Sequence, residues 1–487
     1  MENIYFDLIT ALPEISMLIM AMLVLMAGIF TKAKNRVIVY GLAQIALLIA
    51  SALTVNTHVS AVNYAFNHLF VDDPLADVLK LMTYLGAAMM LVYTHDYMEQ
   101  RKLFKGEYYA LVLFATLGMM IMISGQSLLT IYMGLELLSL CLYSLVAFDR
   151  DNTKATEAAI KYFVLGALAS GMLLYGMSMI YGMTGSLNIA EIAATLLKSN
   201  VKNPVLIMGL VFIVAGLAFK FGAVPFQMWV PDVYQGSPTS ITLLISSIPK
   251  FAAFAIAIRL LAQGLQPMLA DWQDMLLLMA VLSIAIGNFT AIAQTNIKRM
   301  LAYSTISHVG FLFFGMLSGS LTGYAASMFY IVAYVLMTLA GFGMILALSK
   351  KDFEAEDLTD LKGLNSRNKW LAFLMLTTMF SMAGVPPTVG FYAKLSVLQA
   401  ALQAGYVWPL VFAVLMAAVG AFYYLRVVWY MYFEPAEVTD GGATQKIHVP
   451  LDMKIVLSAN ALALLALGVL PQSLMSVCYY AIQRSLH

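Results

Sequence analysis

An all-α integral membrane fold of about fourteen transmembrane helices, with two inverted five-helix repeats that each contain a broken helix, follows from three observations. The 487 residues are 62% hydrophobic and only 11% charged, whereas roughly a quarter of the residues of a soluble domain are charged. The apolar residues gather into runs that reach the roughly 20 residues needed to span a bilayer. Two of these runs, five apart, are interrupted by glycine and proline.

In chain order the runs cover residues 11–30, 37–56, 74–96, 108–125, 127–148, 157–183, 204–226, 237–262, 272–293, 298–318, 322–349, 370–402, 407–433 and 454–477. The first follows an acidic start, Met1-Glu2-Asn3-Ile4-Tyr5-Phe6-Asp7. A cleaved signal would begin with basic residues, so this run is expected to be a retained helix.

Loop charge sets the orientation, because Lys and Arg collect in cytoplasmic loops. One set of alternate loops holds Lys32, Lys34, Arg36, Arg101, Lys102, Lys105, Arg150, Lys154, Lys298, Arg299, Lys350, Lys351, Lys362, Arg367, Lys369 and Lys446, with Lys454 at a helix edge. The opposite loops and tail hold only Lys198, Lys202 and Arg484. This asymmetry places both termini on the outer side, as an even helix count requires.

In the seventh run Lys220 precedes Gly222 and Pro225, and in the twelfth the segment Ser381–Gly390 interrupts a stretch too long for one straight crossing. Proline lacks an N–H and clashes with the carbonyl four residues back, so the carbonyls of Phe221, Met382 and Ala383 are expected to lose their helical partners. Freed carbonyls at membrane depth are tolerated only inside protein or beside a water-filled cavity. Five is odd, so a second unit offset by five helices runs upside down, the arrangement that points to a transport site near the midplane. The expected organisation is a three-helix segment over 1–107, a first repeat over 108–262, an inverted repeat over 263–433, and a loop with the last helix over 434–487. Lys220 and Lys394 are then expected to be repeat-related.

Glu136, Lys161, Lys220, Lys250 and Lys394 all fall inside these runs. Charges at bilayer depth cost about 2.5–3.5 kcal/mol on insertion scales, so they mark ion or proton pathways. At 1.5 Å per helical residue, Glu136 and Lys250 lie near mid-membrane. Lys220 is closer to the inner side beside its break, and Lys394 lies in the outer half. Lys161 is only a few residues inside its run, where snorkelling is the alternative reading. His308 is either a proton relay, its reference pKa being near neutrality, or a satisfied core histidine. Asp77 and Lys80 have the spacing of a local ion pair, and Arg259 and Arg426 lie near helix ends, where they are expected to snorkel.

Lysine suits proton transfer because desolvation lowers its pKa and a nearby carboxylate raises it, whereas arginine stays protonated. The expected sequence is a proton held on Lys220 beside Glu136, passed to Lys250 when that pair weakens, and released outward from Lys394. Moving one charge against 100 mV costs about 2.3 kcal/mol, and the chain has no Walker loop, dinucleotide fingerprint, flavin motif or haem motif to supply it. A driving partner is therefore implied. Net charge of +1 gives no reason to expect nucleic-acid binding. Cys141 and Cys478 lie far apart without a Cys/His cluster, so iron–sulfur and zinc ligation are unsupported.

The segment Phe219-Lys220-Phe221-Gly222-Ala223-Val224-Pro225-Phe226-Gln227-Met228-Trp229-Val230-Pro231-Asp232-Val233-Tyr234-Gln235-Gly236 resembles the antiporter-like membrane subunits of respiratory complex I, as do Gln294–His308 and Met382–Lys394. The resemblance covers essentially the whole chain. It implies that Glu136 and Lys220 form a modulating pair, Lys250 a central relay and Lys394 a terminal one, and it adds Lys161 as a family lysine. It also implies no cofactor on this chain, with NADH, FMN, iron–sulfur clusters and quinone in partner subunits. Other complex I membrane-arm subunits, the lipid bilayer and internal water are the expected partners, in a bacterial inner membrane with both termini periplasmic. The family's usual His after Val-Pro-Phe is Gln227 here, which cannot titrate near neutrality, and the tenth run has no acid matching Glu136. A subunit of a multisubunit sodium/proton antiporter is the rival reading. A scaffold whose charges only guide assembly is a third, and a free-standing solute carrier is disfavoured by the lack of convergent polar groups.

Overall fold

The computed structural model describes residues 2–31, 36–58, 62–199, 201–351, 353–436, 447 and 449–486. Lys32, Lys34 and Lys446 of the loop-charge pattern lie outside the described residues.

The chain enters through α1 (Glu2–Thr10), α2 (Leu12–Phe30) and α3 (Val37–Thr57). A short antiparallel hairpin, β1 (Asn63–Ala65) with β2 (Phe70–Asp72), follows. Then come α4 (Pro74–Gln100), α5 (Gly106–Ser124), α6 (Leu128–Val146), α7 (Thr153–Thr184), α8 (Ile189–Leu196), α9 (Pro204–Phe221), α10 (Trp229–Gly236), α11 (Thr239–Ser246) and α12 (Pro249–Ala257). A π-helical turn, Ile258–Gly264, extends α12. The remaining helices are α13 (Leu269–Ile292), α14 (Ile297–Leu317), α15 (Leu321–Leu348), α16 (Leu364–Arg367), α17 (Lys369–Ala383), α18 (Val389–Gln403), α19 (Val407–Tyr432), α20 (Leu451–Val469) and α21 (Pro471–Leu486).

The fourteen apolar runs correspond to these helices, with four revisions. Among the described residues thirteen segments are long and apolar enough to cross a membrane, and Lys369–Ala383, half of the broken twelfth run, is shorter. The run 237–262 is not one straight helix, because Pro249 at the head of α12 cannot continue the ladder of α11. The last run stops at Val469, and Pro471 opens the separate α21. The hairpin between α3 and α4 had no strand-like alternation to announce it.

Helix starts follow local chemistry. Asp73, Asn152, Asn203, Asn296 and Asn368 cap α4, α7, α9, α14 and α17, each side chain accepting a first-turn N–H, which satisfies donors that a helix leaves open. Burial separates core from periphery. The windows covering Thr239–Gly264 and α14 are 94% buried and that of α15 is 89%, against 28% for α2, α19 and α20. Since a helix hydrophobic all round belongs in a core, α11, α12, α14 and α15 form the centre, and the peripheral helices turn apolar faces to lipid.

Candidate functional site

Both interrupted spans end in the same way. Gly222 and Gly384 adopt left-handed φ of 77° and 86°, a region costly for residues with a Cβ. Gly222 N–H bonds Phe219 O at 3.0 Å and Ala223 N–H bonds Ala218 O at 2.8 Å; Gly384 N–H bonds Ser381 O at 3.0 Å and Val385 N–H bonds Phe380 O at 2.9 Å. These closures use the penultimate carbonyls. The last ones, on Lys220 and Phe221 of α9 and on Met382 and Ala383 of α17, are left for side chains.

Lysines take them. Lys250 Nζ on α12 donates to Phe221 O at 2.7 Å and Lys220 O at 3.2 Å, and Lys394 Nζ on α18 donates to Met382 O at 3.0 Å and Ala383 O at 2.9 Å. A helix C-terminus carries roughly half a negative charge, so each ammonium sits where the backbone favours a cation. The three freed carbonyls anticipated from the proline positions are thus all occupied. Lys220 and Lys394 stand at different distances from the glycines of their breaks. Counting from the left-handed glycines, Met382 stands at the place of Lys220 and Asp232 at that of Lys394. The two breaks match through their carbonyls, and the capping lysine comes from the next helix in one case and from the second half of the same span in the other.

Lys220, in the last turn of α9, donates to Ser139 Oγ at 2.7 Å. Ser139 lies one turn beyond Glu136 on α6 and donates to Leu135 O at 2.6 Å. Glu136 is close enough to act on Lys220 through its charge, yet the ion pairs among the described residues do not include the two. Glu136 Oε1 is buried with no hydrogen-bond partner. The expected pair is adjacent but open, with Ser139 as the direct partner.

His308 on α14 is buried, with Nδ1 2.7 Å from the Tyr330 hydroxyl and Nε2 3.1 Å from that of Tyr424. Tyr424 is also hydrogen-bonded to Ser304. One turn back on α14, Thr305 Oγ1 is 2.9 Å from the Tyr334 hydroxyl, which donates to Ser246 O at 3.1 Å, at the end of α11. Ser246 lies four residues before Lys250, so this link reaches the α11–α12 break, and the Tyr334 ring lies 5.5 Å, centre to centre, from that of His308. Lys394 acts on His308 through its charge. Gln227 Oε1 is buried and without a partner.

Lys161 stands apart from this row. Its side chain is 44% exposed and bonds Glu157 at 2.8 Å and Asp232 at 3.0 Å, while Asp232 also binds Arg299 at 2.8 Å. A cleft lined by Lys154, Glu157, Lys161, Asp232, Gln235 and Arg299 opens there. Burial alone raises the Asp232 carboxyl, but the hydrogen bonds and charges of Lys161 and Arg299 together outweigh it and hold that carboxyl below its usual range.

Sequence reasoning missed Asp232, although it lies within a quoted motif, and missed Ser139 and the tyrosines, whose partners come from distant helices. Two expectations are corrected. Lys80 pairs with Glu14 at 2.7 Å, and Asp77 with His58 at 2.5 Å, rather than with each other. Arg259 does not snorkel: it is fully buried in a two-bond pair with Asp73 at 2.7 and 2.9 Å; Arg426, partly exposed, caps α13 through Ile292 O at 2.9 Å and Gln294 O at 2.7 Å. Among the described residues no group of three or more His, Cys, Asp or Glu is placed to hold a metal ion.

Residues 125–420 match the family described as NADH:quinone oxidoreductase/Mrp antiporter, TM. The chain is 64% identical to NADH-quinone oxidoreductase subunit N of Methylovorus glucosotrophus over the full length of both. Among solved structures it is similar to a chain of respiratory complex I from Thermus thermophilus, with TM-score 0.80, 32% identity, and coverage of 95% of this chain and 98% of that one. A chain of the Mrp complex from Dietzia sp. gives TM-score 0.81 at 21% identity, covering 99% of each chain, a likeness of fold alone.

Proposed function

Because the chain belongs to the NADH-quinone oxidoreductase subunit N family, we propose that it translocates protons within the membrane arm of such a complex, along Lys220, Lys250, His308 and Lys394. Redox chemistry on NADH, flavin, iron–sulfur clusters and quinone then belongs to other subunits, and both termini face the outer side of a bacterial inner membrane.

One observation carries this reading: the lysines of the row are held by neutral oxygens, those of Ser139 and of the broken-helix carbonyls. A lysine bound to a carboxylate leaves a bare buried anion when its proton departs, at a cost of several kcal/mol. A lysine on carbonyls leaves a neutral amine and a satisfied or hydratable carbonyl. Each can therefore alternate between ammonium and amine. Glu136, close to Lys220 but unpaired, can hold a proton there by approaching and release it by withdrawing. Lys161, Asp232 and Arg299 line the intake on the inner side, and His308 with its tyrosines joins Lys250 to Lys394.

In the assembled complex, Lys220→Ala is expected to abolish most NADH-driven proton pumping, and Lys220→Arg not to restore it, because a guanidinium does not release its proton. Normal subunit levels in native gels are the control, and full pumping by the assembled Lys220→Ala complex would overturn the reading. The antiporter alternative predicts co-purification without a quinone-reducing arm.

A further inference from the structure

The window covering α19 is among the least buried of the spans, yet this peripheral helix delivers Tyr424 to the centre of the bundle. The Tyr424 hydroxyl is 3.1 Å from His308 Nε2 and is also hydrogen-bonded to Ser304. A side chain that reaches inward is only as well placed as the helix that carries it. In a bilayer, apolar contacts fix the rotation of a peripheral helix weakly, because lipid tails are as apolar as the side chains they replace. Polar ties have to set it.

Asn288, near the end of α13 and 2% exposed, supplies two of them. Its Nδ2 donates to Met416 O at 2.9 Å, and its Oδ1 accepts from the Tyr423 hydroxyl at 3.2 Å. Both partners belong to α19, with Gly420 between them in the chain. A Cβ at Gly420 would lie 2.8 Å from Asn288 Oδ1, so the glycine provides the notch that admits the amide. Arg426 makes a further tie to α13 at the inner end, through Ile292 O and Gln294 O.

We propose that Asn288 is a positioning residue for His308: by clamping α19 to α13 it holds the Tyr424 hydroxyl on the imidazole. Asparagine is a poor choice inside a helix, where its side chain competes for backbone hydrogen bonds, and a buried amide left unpaired is costly. Here both ends of the amide are used on one neighbouring helix, which no apolar side chain can reproduce. The Tyr423 and Tyr424 rings stand 4.2 Å apart, centre to centre, so a displacement at Tyr423 carries over to Tyr424. Only the effect on pumping rests on the proton path proposed above.

A structure of the complex carrying Asn288→Leu tests the clamp. Leucine keeps the branching of asparagine but offers no hydrogen bond. The Tyr424 hydroxyl is expected to move out of hydrogen-bond distance of His308 Nε2, and an unmoved Tyr424 would overturn the proposal. Should Asn288→Leu fail to assemble, Gly420→Ala keeps the amide but fills its notch; the same displacement is expected, and its absence counts against the clamp. Pumping per NADH oxidised separates positioning from a general loss of stability. Asn288→Leu and Tyr424→Phe are each expected to lower it, and the double variant to lower it no further than Tyr424→Phe alone, since both act through one hydroxyl. Additive losses, or full pumping by Tyr424→Phe, would refute the positioning role. A pumping Lys220→Ala complex would defeat the path but leave the place of Tyr424 as the readout of the clamp.

Discussion

The chemistry at each residue is governed by whether a charge has a charged partner. Arg259 and Lys80 are buried against Asp73 and Glu14 and are locked, since removing one partner of a buried pair costs about 3–5 kcal/mol. Arg259→Ala is therefore expected to prevent stable assembly, visible as loss of the subunit from native gels. Lys250 and Lys394 are held instead by backbone carbonyls, which in the proposed mechanism leaves them free to change charge. Asp232 is an intermediate case, 35% exposed on its side chain and bonded to Lys161 and Arg299. Its depressed carboxyl contributes stability that is present above the unfolded value of about 3.9 and is lost as pH falls through the lower folded value. Asp232→Asn should thus lower the melting temperature slightly at neutral pH, by the roughly 0.2–1 kcal/mol of an exposed pair, and the difference from wild type should vanish under strongly acidic conditions. The buried lysines were legible as charges in apolar runs. Their partners were not, because Ser139, Tyr330 and Tyr424 look like ordinary core residues until folding brings their helices together.

At the scale of elements, glycine followed by proline announced both breaks, and the carbonyls left by proline announced what the site had to satisfy. The break at Ser246-Ser247-Ile248-Pro249 escaped notice because the surrounding run is uniformly apolar, which hides a proline at a helix start. Gly384→Ala tests the broken twelfth span. The left-handed φ costs about 1–2 kcal/mol for alanine, and the added Cβ would lie 3.0 Å from Lys394 Cδ. Gly405 has a φ of 92° with nothing within 4 Å, so Gly405→Ala supplies the same strain elsewhere. Both variants should destabilise the complex to a similar degree in thermal denaturation, whereas only Gly384→Ala should also reduce pumping per NADH oxidised.

Across the whole molecule, the three most buried segments, Thr239–Gly264, α14 and α15, carry Lys250, His308, Tyr330 and Tyr334, so the polar row occupies the centre of the bundle and the apolar helices insulate it. Composition and the lengths of the apolar runs predicted the spans, but not which of them would form the centre. The order of contacts along the row could not be read from them, since it depends on helices that are distant in sequence. Proton transfer along this row requires the separate polar groups to be joined by water into one path. A structure of the complex at a resolution that locates ordered water is expected to show a continuous file from Lys220 through Lys250 and His308 to Lys394. A dry apolar gap between Lys250 and His308, persisting during turnover, would contradict it.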